Sequence, residues 1–335
     1  MEEREDWTLA GALLSRGPGY GIQRRKTIVR GLITKRWHWG MKQKEALSFY
    51  LFIAPWMLGF VIFVAGPILA SLGLSFAQYD IILPPKFRGL DNYRELFQDP
   101  LFYTSLWNTL YFVFFAIPLG IVVAFGLALL LNQKVRGMAV YRTAYYMPSI
   151  VPVVASAVLW LWLLQPQWGL VNGALRFLGI EGPTWLASPT WSKPSIILMM
   201  LWGSGGSMII YLAGLQGIPQ VLYEAAEIDG ANWWARFRHM TIPMMTPTLF
   251  FTLVMSIISV FQTFSIVFIM TGGTGAPVNT TLVYLLYLYR NAFNFLRMGY
   301  ASAMAWILFV IILALTLLQF RSASFWVYYE VEGGR

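Results

Sequence analysis

The sequence predicts an all-helical, polytopic membrane protein with six transmembrane helices. Apolar residues make up 58% of the 335 residues and charged residues only 12%, against roughly 25% charged in soluble domains. In addition, six long stretches contain no Asp, Glu, Lys or Arg, and each can hold the roughly 20 apolar residues of a spanning helix. These stretches are 46–79, 100–133, 143–175, 194–223, 240–289 and 298–320.

The position of each span follows from the apolar run within its stretch. The fifth stretch is long enough for two spans, but the turn residues of "TGGTGAPVNTT", at 271–281, interrupt it. One span and an outer loop are therefore predicted there. A short surface helix is predicted near residues 92–97, in the first outer loop. The predicted spans are 50–76, 106–131, 146–164, 195–215, 246–270 and 300–318.

The uneven distribution of Lys and Arg predicts the orientation in the membrane. Most of the 24 basic residues fall in the N-terminal segment, the loops 132–142 and 223–243, and the C-terminal tail. Because basic loops favour the cytoplasmic side, both termini are predicted to be cytoplasmic. The predicted organisation is a basic tail at 1–45, a transmembrane domain at 46–321 and a second tail at 322–335. The net charge of +9 is thus attributed to topology, and nucleic-acid binding is not expected.

The residues give little support for catalysis or metal binding. There is no cysteine, which excludes a disulfide framework and a thiolate metal site, and the predicted spans hold no His pair or carboxylate dyad. Two alternatives to a simple transport subunit remain. An ion-coupled carrier should have intramembrane carboxylates, which the predicted spans lack. A membrane-embedded transferase would need an acid near an interface, which the first outer loop could supply through Asp91, Glu95 and Asp99.

Span four is predicted to contain the glycines Gly203, Gly205 and Gly206. Each lowers helix stability by roughly 1 kcal/mol relative to alanine, so some other interaction has to offset the loss. Small residues allow close packing between transmembrane helices. Alternatively, the helix is locally unwound where it lines a solute path. Both interpretations remain open.

Span five is predicted to carry a polar stripe. Ser256, Ser259 and Thr263 follow the spacing i, i+3, i+7 with Gln262 beside them, and such a stripe faces other helices or water rather than lipid. It could serve hydrogen bonding between helices or line a solute path. Hydroxyl and amide groups with an aromatic platform and no buried charge fit a neutral polyol or sugar. The predicted solute-path residues are Trp202, Ser207, Ser256, Ser259, Gln262 and Thr263.

The stretch "YEAAEIDGANWWARFRHMTIP", residues 223–243, is the most polar part of the second half of the chain. It predicts two short helices around a turn. Gly230 can take the left-handed conformation common at a helix C-terminus, and Asn232 can cap the second helix.

The second of these helices is predicted to be amphipathic, because Trp233, Phe237 and Met240 recur at i, i+4, i+7. Such a helix can lie in the lipid headgroup layer, or its apolar face can fill a groove on a partner protein. Carboxylates such as Glu224 and Asp229 just before it are unfavourable near an anionic leaflet, which favours the partner protein.

This segment resembles the cytoplasmic signature of the integral-membrane permeases of binding-protein-dependent ABC importers. That signature is E-A-A, three residues, G, nine residues, I, one residue, L-P. The matching residues are Glu224, Ala225, Ala226, Gly230 and Pro243. Met240 stands in place of the usual Ile and Ile242 in place of the usual Leu. With Asp229 and the pair Arg236 and Phe237, the segment is particularly similar to the carbohydrate-uptake branch, the maltose and glycerol-phosphate permease type.

The resemblance covers roughly residues 46–321, departs at "TGGTGAPVNTT", and implies the type I ABC importer permease architecture. It implies a multi-pass subunit of the cell membrane, embedded in lipid, which is not an enzyme. It pairs with a second, similar permease, receives a sugar-like solute from an external binding protein, and contacts two copies of a cytoplasmic ATPase. ATP and Mg bind to that ATPase, so no cofactor is expected here.

The resemblance also implies that residues 219–243, called here the coupling segment, dock into a cleft of the ATPase. The residues assigned to this contact are Glu224, Ala225, Ala226, Asp229, Gly230, Trp233, Phe237, Met240 and Pro243.

Overall fold

The structure, a computed structural model, describes residues 41–328. Most of the predicted N-terminal tail and the last residues of the predicted C-terminal tail lie outside this range. The chain divides into two compact units, one up to Ile62 and one from Phe63 onward. The first contains helix α1, Met41–Phe60, and a π-helical turn at Val61–Ala65 follows it.

The described residues have the helices for six spans. Four helices are long and apolar enough to cross a membrane, and two bent helix pairs bring the number to as many as six. The four are Glu45–Ser75, Pro100–Leu131, Trp233–Phe261 and Met298–Trp326. The bent pairs are Met138–Ile150 with Val153–Leu163, and Ser192–Trp202 with Gly205–Gly217. The prediction of an all-helical membrane protein is confirmed.

A small cap joins the first two spans. It follows helix α2 (Gly66–Ser75), with which the span Glu45–Ser75 ends, and consists of strands β1 (Ala77–Gln78) and β2 (Lys86–Phe87) and helix α3 (Asp91–Gln98). The strands are antiparallel, and α3 lies where the sequence predicted a short helix. Asn92 of α3 is buried, and its Nδ2 donates to the carbonyls of Ser75 (2.8 Å) and Ala77 (2.9 Å). This amide therefore ties α3 to the end of α2.

The third span is bent rather than straight. After helix α4 (Pro100–Leu131), helices α5 (Met138–Ile150) and α6 (Val153–Leu163) meet at 97°. The predicted span at 146–164 therefore begins in one helix and continues in the next, with a bend between them. Pro152 has no N–H and disfavours the helical conformation at the residue before it, so Val151 is extended, with φ −66° and ψ 131°.

The fourth span shows both close helix packing and a local break of the helix at its glycines. Helix α7 (Leu170–Phe177) and a short 3₁₀ turn at Trp185–Ala187 precede helices α8 (Ser192–Trp202) and α9 (Gly205–Gly217). These last two meet at 48°, so the span is broken at Gly203. Gly205 packs so closely on the backbone of Tyr145 and Tyr146 that a Cβ would overlap it. One glycine thus lies at the break and another at a close helix contact.

The fifth span ends earlier than predicted. Helices α10 (Gln220–Ile228) and α11 (Trp233–Arg236) lead through a π-helical turn to α12 (Ile242–Phe261), and a separate helix, α13 (Ser265–Met270), follows. The N–H of Thr263 donates to Val260 O (3.1 Å), whereas its hydroxyl donates to Ser259 O (3.4 Å). This side-chain competition tightens and ends the helix, so Thr263 does not continue the helical face of Ser256.

The "TGGTGAPVNTT" segment is not helical, as predicted. Beyond it lie helix α14 (Tyr284–Tyr289), a π-helical turn at Arg290–Asn294 and helix α15 (Met298–Trp326). Helix α15 continues past the predicted end of span six into the first residues of the predicted C-terminal tail.

Asp99 connects three of these helices at one end of the molecule. Its Oδ1 caps α4 by accepting from Leu101 N–H (2.9 Å), and its Oδ2 accepts from the hydroxyls of Tyr287 in α14 (2.5 Å) and Tyr300 in α15 (2.7 Å). Burial raises the pKa of Asp99, but the hydrogen bonds from both tyrosines and from the backbone outweigh it, so the pKa lies below its usual value of 3.8. Burial and the neighbouring Asp99 raise the pKa of Tyr287 to about 12.

Candidate functional site

The first helix of the coupling segment ends at Gly230, as the sequence predicts. Gly230 has φ +80°. Its N–H donates to Glu227 O (3.1 Å), and the N–H of Ala231 donates to Ala226 O (2.8 Å). These two bonds form a Schellman motif, which satisfies carbonyls at the helix end. The turn thus depends on a residue that adopts a left-handed conformation at little cost.

The second helix starts at the predicted cap. The Oδ1 of Asn232 accepts from Ala235 N–H at 2.8 Å. Across the turn, Arg236 Nη1 lies 3.1 Å from Glu227 Oε2, so an ion pair joins α10 to α11. Glu227 is exposed and Arg236 half-buried, and an ion pair in contact with water is worth about 0–1 kcal/mol. It favours one relative orientation of the two helices.

The signature residues lie on an accessible surface. Glu224, Ala225 and Asp229 are exposed, whereas Ala226 is half-buried. The carboxylate of Glu224 accepts one hydrogen bond, from Gln220 Nε2 at 2.9 Å. Its remaining acceptor capacity faces solvent and is available to a partner.

The residues of the predicted apolar stripe differ in their exposure. Trp233 is 65% exposed, but Phe237 and Met240 are half-buried and Pro243 lies in the first turn of α12. Residues from Phe237 to Thr241 form a π-helical turn, which has a wider hydrogen-bond spacing than the 3.6-residue period assumes, so the helix that carries the stripe is not regular over its whole length.

Two exposed apolar side chains beside the turn were not predicted. Ile228 is 87% exposed and Trp234 is 57% exposed. Together with Trp233 they are called here the apolar patch, in which the ring centroids of Trp233 and Trp234 lie 6.0 Å apart. The sequence signal was the isoleucine between Glu227 and Asp229, since an apolar residue among charges at a helix end has few neighbours to pack against.

The transmembrane helices line an open cavity of about 540 Å³. Both breaks in the helices border it, at Val151 and at Gly203. Irregular backbone at membrane depth persists where it is buried in protein or lines a cavity, and this cavity provides that environment. No charged side chain is among its lining residues.

Four of the six predicted solute-path residues line this cavity. They are Trp202, Ser207, Ser256 and Ser259. Gln262 and Thr263 are not among the lining residues, because α12 ends at Phe261; Gln262 is exposed and Thr263 half-buried. The indole of Trp202 meets that of Trp160 edge to face, with ring centroids 6.1 Å apart. Packing against this second ring restrains the orientation of the platform.

Further hydroxyl groups of the cavity were missed. Ser149, Ser156, Ser204 and Tyr211 also line it. They come from helices α5, α6 and α9 and the break before α9, so no single helical period connects them. For the three serines, the sequence signal was a small polar residue inside an apolar run.

A helical membrane protein with a charge-free, hydroxyl-lined cavity and an accessible acidic turn with this signature is a transport permease of the ABC importer type. The chain belongs to the family of binding-protein-dependent transport system inner membrane components, whose match covers residues 116–324.

Relatives in bacteria match almost their full length. The probable ABC transporter permease protein YesP of Bacillus subtilis is 44% identical over 86% of this chain and 94% of its own length. The lactose transport system permease protein LacF of Rhizobium radiobacter is 37% identical over 84% of this chain and 96% of its own. A crystal structure of a bacterial alginate ABC transporter, in complex with an alginate pentasaccharide-bound periplasmic protein, contains a similar chain. Its TM-score is 0.74 at 26% identity, covering 84% of this chain and 95% of that one.

The family therefore makes this chain a membrane-embedded transport subunit and not an enzyme, with ATP hydrolysis on a separate subunit. This excludes both the ion-coupled carrier and the transferase. Within residues 41–328, no group of three His, Asp or Glu side chains is placed to hold a metal ion.

Proposed function

We propose that the chain is one half of the translocation path of an ATP-driven importer for a sugar or a related polyol. The observation that carries the proposal is the cavity, which is lined by several hydroxyl groups and a tryptophan and by no charge. Neutral hydroxyl groups of a solute can exchange hydrogen bonds with such walls, and an aromatic face accommodates the apolar face of a sugar ring. The names of relatives support this class, since they include lactose and trehalose/maltose transport permeases.

The proposed assembly contains a second, similar permease, a cytoplasmic ATPase dimer and an external solute-binding protein. The alginate transporter complex supports the last of these, because a periplasmic protein is bound in it. In this assembly both termini of the chain are cytoplasmic and the surrounding lipid forms the remaining contact. ATP and Mg bind to the ATPase, and the chain itself carries no cofactor.

The coupling segment is the proposed contact with the ATPase. Glu224 provides a carboxylate with free acceptor capacity, and the patch of Ile228, Trp233 and Trp234 provides apolar area that water contacts in the isolated chain. A groove that buries this patch and pairs the carboxylate gains both hydrophobic and polar stabilisation. Closure of the ATPase dimer then moves the segment, and the cavity alternates between the two sides of the membrane.

Co-purification from native membranes tests the proposal. The tagged chain is extracted gently, its partners are identified by mass, and ATPase activity is measured with and without the binding protein and candidate sugars. We expect a second permease, an ATPase, and an activity that rises with loaded binding protein. A chain that is recovered alone, without ATPase activity, contradicts the importer. A complex stimulated only by charged, non-sugar solutes contradicts the solute class.

A further inference from the structure

A row of four aromatic rings connects the coupling segment to the cavity. The rings of Trp233 and Phe237 are parallel, with centroids 5.5 Å apart. The ring centroids of Phe237 and Phe125, in α4, lie 6.4 Å apart. Phe125 meets Tyr211 of α9 edge to face, with ring centroids 5.6 Å apart. Tyr211 lines the cavity. The row therefore begins at an exposed side chain of the proposed ATPase contact and ends at the cavity wall.

The cavity end of this row is fixed to a second helix. The hydroxyl of Tyr211 lies 2.6 Å from Thr252 Oγ1 in α12. Thr252 is one turn before Ser256, and Ser256 and Ser259 both line the cavity. A displacement of the Tyr211 ring therefore acts on the helix that carries two of the cavity hydroxyls.

The other end of the row has room to move. A second cavity, of about 530 Å³, lies beside Phe237 and is also lined by Gly126, Leu129 and Trp233. Close-packed interiors resist displacement, whereas a ring beside an open volume can shift without overlap. The π-helical turn from Phe237 to Thr241 joins the segment to α12, and such turns are frequent at functional sites.

We propose that Phe125 is a positioning residue, which transmits the movement of the coupling segment to Tyr211 and so to the cavity. The inference rests on the proposed function. Phe125 is the one ring of the row that belongs to neither the coupling segment nor the cavity lining, so it acts through its two ring contacts. The interaction free energy of one aromatic pair is large enough to change the equilibrium constant between two states of the cavity by roughly two- to tenfold.

The absence of cysteine from the sequence allows a direct test. Met255, which lines the cavity, is replaced by cysteine in the tagged full-length chain, and the complete importer is reconstituted in vesicles. A membrane-impermeant maleimide labels the tagged chain in the presence of ATP alone or of ATP with vanadate, and the ratio of the two labelling rates is compared between variants. With Phe125→Leu we expect the two labelling rates to become more alike, so that their ratio lies roughly two- to tenfold closer to one than in the parent. ATPase activity should persist.

Matched variants separate a relay from a general packing effect. Phe114→Leu alters an exposed ring of the same helix and should keep the parental ratio. Phe125→Tyr keeps the ring and should restore it. If Phe125→Leu does not assemble, Tyr211→Phe takes its place as the test. This variant removes a single oxygen atom, loosens the contact with Thr252 and should also bring the labelling ratio closer to one.

Several outcomes would overturn the inference. The relay is refuted if Phe125→Leu, or Tyr211→Phe in its place, has the same labelling ratio as the parent. The proposed importer function would not be affected by that result. An equal loss in Phe114→Leu also refutes it. If the Met255→Cys parent itself shows no ATP-dependent change in labelling, the proposed function fails, and this inference fails with it.

Discussion

Replacing Gly230 with alanine tests whether the shape of the coupling segment matters apart from its side chains. A Cβ built on Gly230 has no atom within 4 Å, so the substitution causes no overlap. The backbone, however, has φ +80°, and the left-handed conformation costs an L-residue roughly 1–2 kcal/mol. The equilibrium constant for forming the turn between α10 and α11 should therefore fall about five- to thirtyfold.

The assay is solute uptake per ATP hydrolysed by the reconstituted importer. We expect Gly230→Ala to lower uptake by about tenfold without lowering the thermal stability of the subunit, since the turn is exposed. Gly230→Asn should retain more activity, because asparagine tolerates this conformation better. Gly217→Ala is the matched control: its Cβ also meets nothing within 4 Å and its φ is not positive. Parental uptake by Gly230→Ala, or an equal loss in Gly217→Ala, would refute the reasoning.

Three further predictions concern the helix contacts and the cavity. Asp99→Asn should lower stability by about 1–3 kcal/mol in thermal unfolding at pH 7. The folded pKa of Asp99 lies below 3.8, so its contribution to the free energy of unfolding is complete above that pH and is lost as the pH falls through the folded pKa. An unchanged unfolding temperature in Asp99→Asn would contradict this role. Ser259→Ala should raise the KM for uptake by about two- to tenfold, whereas Gln262→Ala should not; equal effects would remove Ser259 from the path. Gly205→Ala should destabilise the chain by about 1–3 kcal/mol and Gly206→Ala, which has open space, should not, as thermal unfolding of both variants will show.

Local features of the coupling segment were predictable from the sequence. The left-handed turn at Gly230 and the cap at Asn232 depend on residues within four positions along the chain, and both are present. The π-helical turn after Arg236 was not predictable, because a helical wheel assumes one period throughout.

Part of the cavity was predictable from the period of a single helix. Ser256 and Ser259 follow a regular period and line it. Gln262 and Thr263 extended that period past a point where side-chain hydrogen bonding ends the helix. Ser149 and Tyr211 lie far apart in sequence, and their proximity depends on the 97° bend of the third span and on the packing of α9. A single sequence gives no period for such contacts.

The exposed patch at Ile228, Trp233 and Trp234 also has a consequence for subunit supply. A copy of the chain made in excess of its partner leaves these side chains in water, and exposed apolar patches promote aggregation and recognition by chaperones and proteases. In the proposed assembly, surplus copies would then be removed rather than stored. In the proposed assembly, the amount of ATPase available would therefore set the steady-state abundance of this permease, even when its own gene is expressed more strongly.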